Sequence, residues 1–266
     1  MFLPSLLAGQ VAVITGGGTG LGLAIAERLG QLGARIVIAS RGSENLEQGS
    51  DALRLAGLDP LAVQVDVRNP EQVDELVERT IRHFGHIDIL INNAAGNFVC
   101  RAEELSPNGW NAVIGIVLNG SFYCARAVGR HMIERGKGGA IVSILANYVW
   151  TGSPGTIHSA AAKAGVMSMT QTLAAEWARH KIRVNAVAPG PVETAMTARL
   201  VDLPEVHEAM ARRIPLQRWG QPRELAEAIW FLASPAASFI TGITVPVDGG
   251  LSASAGHYDL PARPEI

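Results

Sequence analysis

Seven short runs rich in valine, isoleucine and alanine recur along the chain: Val11 to Ile14, Arg35 to Ala39, Ala62 to Val65, Ile87 to Ile91, Ala140 to Ile144, Arg183 to Ala188 and Ile243 to Val247. Longer amphipathic segments separate them. Strands buried on both faces read as near-continuous apolar runs, not as strict alternation. Such runs interleaved with helices require a parallel sheet covered on both sides. The expected fold is therefore α/β, one doubly wound domain over residues 1–266 with a seven-stranded parallel sheet flanked by helices, a size that one core can support. Helix starts are punctuated by Asn69-Pro70-Glu71, Ser106-Pro107 and Gln221-Pro222-Arg223-Glu224. The segment from Glu193 to Ile214 follows Pro189-Gly190-Pro191 and is interrupted again at Pro204, Arg212-Arg213 and Pro215; it reads as a substrate lid.

Hydrophobic residues make up 48% of the chain and charged ones 17%, which excludes a disordered segment and calls for a large core. The formal net charge is -2 and no basic run occurs, so neither nucleic acid nor an anionic membrane is an expected partner. Cys100 and Cys124 form no metal-binding spacing and no disulfide framework, as suits a reducing compartment. The opening Met1 to Ala8 lacks a basic flank and runs into the first strand, and the closing Ala262 to Ile266 matches no address signal. No apolar stretch is expected to reach the ~18 residues of a membrane helix. A cytoplasmic protein is expected.

Chemistry concentrates at the carboxyl ends of the strands, where open α/β sheets bind ligands. After the first strand comes Thr15-Gly16-Gly17-Gly18-Thr19-Gly20-Leu21-Gly22, then a helical pattern through Leu32. Glycines there allow backbone N–H groups to approach a pyrophosphate at the positive end of a helix; alone, the turn is equally an ordinary strand-to-helix connection. Asp66-Val67 follow the third strand, Asn92-Asn93-Ala94-Ala95-Gly96 the fourth, and Pro189-Gly190-Pro191-Val192-Glu193-Thr194 the sixth. The second strand ends in Ser40-Arg41, without the acidic residue that would accept ribose hydroxyls and repel a 2′-phosphate. A guanidinium pairs with phosphate, so NADP(H) is the expected cofactor; the alternative is that Arg41 is a solvated charge.

The glycine turn, the Asn-Asn-Ala-Ala-Gly segment, Asn119, Lys163, the Pro-Gly motif and the closing Val247-Asp248-Gly249-Gly250 together resemble a short-chain dehydrogenase/reductase over nearly the whole chain. The resemblance implies a Rossmann domain and a cofactor site built from Gly16, Thr19, Gly20, Leu21, Gly22, Ser40, Arg41, Asp66, Val67, Asn93, Ala94, Ala95, Gly96, Lys163, Pro189, Gly190 and Val192. It places Asp66 toward the adenine, although an aspartate opening a loop also caps, and Lys163 on the nicotinamide ribose. It also implies a homotetramer, in keeping with long helices rich in small residues.

The family's Tyr-x-x-x-Lys motif is altered: Ser159 precedes Lys163 by four residues, and Ala146 stands thirteen residues before Ser159, where the family carries a serine. A serine hydroxyl is a poor proton donor. Tyr148, eleven residues before Ser159, is a displaced phenol that either replaces the motif tyrosine or forms an aromatic wall. This pattern, with Asn92 to Phe98, Leu105 to Asn108 and Val117 to Gly120, resembles the 2,4-dienoyl-CoA reductase branch. The resemblance implies NADPH-dependent reduction of a conjugated acyl-CoA thioester, with hydride added at the δ-carbon. Tyr148 and Asn119 would hydrogen-bond the thioester oxygen, and Ser159 would be a secondary polar contact. Trp150 and His158 flank the site; Arg101, Arg199, Arg212 and Arg213 are either contacts to CoA phosphates or solvent-facing charges. Rival readings are a trans-2-enoyl-CoA reductase, which shares the run from Ser234 to Gly242, a carbonyl reductase or alcohol dehydrogenase with its proton relay rerouted through Tyr148, and a silent NADPH-binding protein. No metal is expected.

Overall fold

A computed structural model describes residues 5–194, 197–198 and 202–254. Seven parallel strands form one sheet: β1 (Val11–Thr15), β2 (Arg35–Ser40), β3 (Leu61–Gln64), β4 (Ile89–Asn92), β5 (Gly139–Ile144), β6 (Ile182–Pro189) and β7 (Thr244–Val247). Their order is β3-β2-β1-β4-β5-β6-β7. The chain runs outward from β1 to β3 and then returns to pair β4 with the other side of β1, Ala12 opposite Ile89 and Ile14 opposite Ile91. That reversal opens a crevice above the carboxyl ends of β1 and β4. Each run expected from the sequence is a strand, with shifts of one or two residues at the ends. The largest is at β4, which starts at Ile89 and not Ile87, although the Asp88 backbone still donates to the Val11 carbonyl at 3.0 Å and accepts from Ala140 N–H at 2.9 Å. The Asp88 carboxylate accepts from Val11 N–H at 2.8 Å and pairs with Arg135 at 2.7 Å.

The helices are α1 (Gly20–Gln31), α2 (Ser43–Leu55), α3 (Pro70–Phe84), α4 (Pro107–Ile114), α5 (Gly120–Arg135), α6 (Ile157–Trp177), α7 (Pro204–Arg213), α8 (Pro222–Ala233) and the short α9 (Leu251–Ser254). The expected caps are present. Asn69 Oδ1 accepts from Gln72 N–H at 3.0 Å, Ser106 Oγ accepts from Gly109 N–H at 3.1 Å, and Gln221 and Glu224 close a capping box on α8. Side chains alternate across each strand. On β1, Ala12 and Ile14 join α1 and α8 in one core, with Ile25, Leu29, Leu225 and Ile229. Val11 and Val13 join α3 and α5 in the other, with Val73, Leu76, Val128 and Met132. The sheet is thus covered on both faces, and the crevice lies at its carboxyl edge.

One expectation is corrected here. The helical stretch Pro107–Arg135 is long and apolar enough, by length and composition, to cross a membrane. Asn108, Asn111, Asn119 and Ser121 break it into short apolar pieces in the sequence, yet its average is high. Half of its most apolar window is buried inside the protein, and its contacts are with α3, α6 and β4, so its composition follows from packing on the sheet. Between α4 and α5 the helix widens into one π turn, Gly115–Asn119, a distortion that recurs beside functional sites.

Candidate active site

The turn after β1 is built for close backbone approach. Gly16 has φ +65, and a Cβ on Gly22 would lie 2.1 Å from the carbonyl oxygen of Gly16, so α1 can pack this tightly against the turn only with glycine. Thr15 and Asn93 lock the turn to the end of β4. Thr15 Oγ1 accepts from the N–H of Asn93 and of Ala94, both at 3.0 Å, while Asn93 Nδ2 donates to the carbonyls of Thr15 at 3.0 Å and Gly16 at 3.1 Å. The first turn of α1 carries no acidic residue, which leaves its positive end open to an anion.

A cavity of about 1590 Å³ lies above this crevice. Its nucleotide end is lined by Gly16, Thr19, Gly20, Leu21 and Gly22, by Ser40 and Arg41, by Asp66 and Val67, and by Asn93, Ala94, Ala95 and Gly96; Pro189 and Gly190 close the far side. The glycine cradle and the basic, acid-free end of β2 fit a phosphorylated dinucleotide. Asp66 does face the cavity, but it is engaged. The Arg68 guanidinium grips its carboxylate at 2.9, 3.0 and 2.5 Å and holds its carboxyl below the usual carboxylate range. Asp66 Oδ1 also accepts the Arg68 backbone N–H at 3.0 Å, so its capping role is present too. Its negative charge is therefore largely cancelled where a nucleotide would pass.

Val192 does not line the cavity. Its side chain is 6% exposed within the core beneath α8, and its backbone bridges to Gly220. The cofactor contact expected at Val192 is therefore not made by its side chain, which completes the core below the wall.

The chemical end joins three of the four expected side chains. Tyr148 lies on a single 3-10 turn, Asn147–Val149, directly beyond β5, and its Oη is 2.8 Å from Ser159 Oγ. Ser159 sits in the first turn of α6, 2% exposed, and Lys163 follows one turn later, 7% exposed. The Lys163 ammonium donates to the carbonyl oxygen of Ile144 at the end of β5, and burial pushes its pKa down to about 8. All three line the cavity.

Asn119 is the exception. It ends the π turn, is exposed, and is absent from the cavity wall, where Ile116 of the same turn is present. The expected place of Asn119 in the site is therefore not met by the cavity lining, which takes Ile116 from this turn. Asn97, which follows the Asn-Asn-Ala-Ala-Gly segment, does line the cavity. Its loop is tied to the segment before α6 by Cys100 N–H donating to the Gly155 carbonyl at 2.8 Å. Asn97 belongs to the segment Asn92 to Phe98 that carries the branch resemblance, and that resemblance was the signal for it.

Of the two flanking rings, Trp150 is 47% exposed and stands outside the wall. His158 is fully buried, edge-on to Phe98 at 4.5 Å, and neither ring nitrogen has a partner among the described residues. Burial holds its pKa below the usual value, so it packs as a neutral ring. From the segment 193–214, Thr194, Thr197, Met210, Arg212 and Arg213 line the cavity, as do Pro215, Gln217 and Trp219 after it; residues 195–196 and 199–201, Arg199 among them, lie outside the described residues. Among the described residues no His, Cys, Asp or Glu cluster could hold a metal.

A family model described as enoyl-(acyl carrier protein) reductase matches residues 16–252. A Bacillus subtilis protein named probable 2,4-dienoyl-CoA reductase, of the (2E)-enoyl-CoA-producing kind, is 44% identical over 91% of this chain and 96% of that one. An Arabidopsis thaliana peroxisomal 2,4-dienoyl-CoA reductase, (3E)-enoyl-CoA-producing, is 40% identical over 94% of this chain and 87% of its own. A crystal structure of a Bacillus anthracis short-chain dehydrogenase superposes with a TM-score of 0.84 at 47% identity, covering 91% of this chain and 96% of that one. A Burkholderia cenocepacia gluconate 5-dehydrogenase in complex with NADP and tartrate superposes with a TM-score of 0.88 at 37% identity, covering 94% and 98%. With its β-strand order, its glycine turn and its Ser-x-x-x-Lys helix, the chain belongs to the short-chain dehydrogenase/reductase family, within its 2,4-dienoyl-CoA reductase-like branch.

Proposed function

We propose that the protein is an NADPH-dependent 2,4-dienoyl-CoA reductase. The observation that carries this reading is the hydroxyl pair of Tyr148 and Ser159 at 2.8 Å, one turn from a buried Lys163, standing where a ketone reductase presents a single tyrosine from the helix. NADPH bound along the nucleotide end supplies a hydride to the substrate's δ-carbon. Electrons of the conjugated system then move onto the thioester oxygen as a dienolate. Tyr148 Oη, with its proton chain partner Ser159, and the Asn97 side chain form the donors for that oxygen, in a site walled by Ile116, Leu145 and Pro154. Each such donor contributes about 10²–10³ in rate when it is aimed at developing charge. Proton delivery to the α-carbon completes a 3-enoyl thioester. Lys163 places a positive charge beneath the site and, through Ile144, fixes α6 to β5.

NADPH over NADH follows from Arg41 at the end of β2 beside Ser40, with the nearby acid Asp66 already paired to Arg68. Arg41→Ala is expected to raise the Kd of NADPH about tenfold or more and to leave NADH within about twofold, since a charge-assisted phosphate contact contributes roughly 1.5–3 kcal/mol. Equal weakening of both would remove the 2′-phosphate contact. Small residues along α5 and α6, with Phe122 45% exposed on α5, support assembly as a homotetramer.

The reading is tested by following NADPH loss with trans-2,trans-4-decadienoyl-CoA, 2-decenoyl-CoA and a β-ketoacyl-CoA in parallel. Oxidation with the dienoyl thioester alone supports it. Activity confined to the enoyl or keto substrate selects that rival, and cofactor binding without turnover on any of the three selects a silent binder.

A further inference from the structure

The cavity lining holds two cationic side chains beyond Arg41 and Lys163. The charged residues lining it are Arg41, Asp66, Lys163, Arg212 and Arg213. Arg41 stands with Ser40 at the nucleotide end, Asp66 is neutralised by Arg68, and Lys163 is buried against the Ile144 carbonyl. Arg212 and Arg213 remain, in the last turn of α7 beside Pro215 and Gln217. Arg212 meets Glu208 at 3.5 Å with both side chains 68% exposed, an arrangement that contributes about 0–1 kcal/mol. No ion pair to Arg213 occurs among the described residues. Cations at a helix carboxyl end are favoured by its dipole, which accounts for their place on α7 but not for their opening onto a cavity without a free carboxylate.

The helix that presents them is anchored. His207 stacks on Trp219 with ring centroids 5.3 Å apart and planes 7° from parallel, and its Nε2 lies 3.2 Å from Glu193 Oε1. Trp219 Nε1–H donates to the His207 carbonyl at 3.0 Å, and Glu193 also accepts from Gln221 Nε2 at 2.6 Å. Glu193 N–H in turn donates to the Gly220 carbonyl at 3.0 Å, on the segment leading from Pro189 and Gly190. The helix is thereby fastened to the cofactor wall, and the two arginines in its last turn hold a defined place in the cavity lining.

We propose, resting on the dienoyl-CoA reading, that Arg212 and Arg213 form the subsite for the phosphate groups of the thioester's nucleotide tail, on a platform positioned by His207. A coenzyme A thioester brings a pyrophosphate and a ribose phosphate, and guanidinium groups pair with both in planar, forked geometry. Because the pair is exposed, its contribution is screened by salt.

The test compares 2,4-decadienoyl-CoA with the N-acetylcysteamine thioester of the same acid, which has no phosphate. In Arg212→Gln/Arg213→Gln the KM for the CoA thioester is expected to rise about tenfold, with kcat, the Kd of NADPH and all constants for the phosphate-free thioester within about twofold. His207→Ala should raise the same KM in the parent and add nothing in the double variant, as coupled positions do. Equal losses on both thioesters would reduce the arginines to lid structure, a weakened NADPH Kd would assign them to the cofactor, and an unchanged KM would leave no phosphate subsite; each overturns the proposal. Titration of the NADP⁺-loaded protein with CoA itself separates this from the reading of function. Weaker CoA binding in the double variant supports the subsite even if the parent reduces no dienoyl thioester, and equal binding overturns it.

Discussion

Tyr148→Phe is expected to lower kcat on the dienoyl thioester by about 10²–10⁴-fold, the range in which a positioned proton donor or oxyanion contact acts, while the Kd of NADPH stays within about twofold. The phenyl ring fills the same space, so the cavity wall is kept and only the hydroxyl is lost. The short turn that carries Tyr148 is held by the N–H of Gly152 donating to the Tyr148 carbonyl at 2.8 Å, a contact the substitution leaves intact. Ser159 Oγ would lose its partner at 2.8 Å, yet it is too short to reach what Oη reaches. Stopped-flow or steady-state NADPH oxidation reads the result. Full activity in the variant would make Tyr148 an aromatic wall and return the proton question to Ser159.

Lys163→Met is expected to move activity and stability in opposite directions. Burial pushes the Lys163 pKa down to about 8, against 10.5 for an unburied lysine. Below pH 8 the folded protein holds a desolvated charge whose described partner is a carbonyl. The sign follows directly: between about 8 and 10.5 the unfolded chain binds the proton and the folded one does not, so stability of the cofactor-free protein rises with pH through that window. At pH 7 the buried charge costs up to about 3 kcal/mol. A methionine of similar length removes that cost, and the cofactor-free variant should melt several degrees higher at pH 7.

Its turnover should fall by orders of magnitude, because the positive charge beneath the hydroxyl pair is gone. In the parent, kcat/KM should decline as pH rises through about 8, where Lys163 loses its proton, and the variant should lack that limb. Thermal melts and a pH–rate profile measure the two halves. A lower Tm with unchanged activity would make Lys163 a packing residue.

Where backbone geometry is dictated locally, the sequence was legible. Near-continuous Val/Ile runs located all seven strands to within two residues, and Asn69, Ser106 and Gln221 marked the helix starts because capping is satisfied by near neighbours. Tyr148, Ser159 and Lys163 came together because the short path from β5 through one 3-10 turn to α6 leaves little freedom. Legibility ended where a side chain's direction depends on a distortion or a distant partner. Asn119 lies in a π turn that no periodic pattern announces, and Asn97 replaces it in the wall. The sequence places Asp66 toward the adenine or in a cap, and does not announce that Arg68, two residues on, closes over its carboxylate. The anchoring of α7 through His207, Trp219 and Glu193 joins three separate segments and has no local signature.

Carbon-specific tracing of the hydride tests the central claim most directly. The protein would be given 2,4-decadienoyl-CoA with NADPH deuterated at the transferable position, and the product located by NMR and mass spectrometry. Deuterium at the δ-carbon of a 3-enoyl thioester is the expected result, since it requires the electrons to have passed to the thioester oxygen, for which Tyr148 and Asn97 are the proposed donors. Deuterium at the β-carbon, the outcome of simple enoyl reduction, would contradict it.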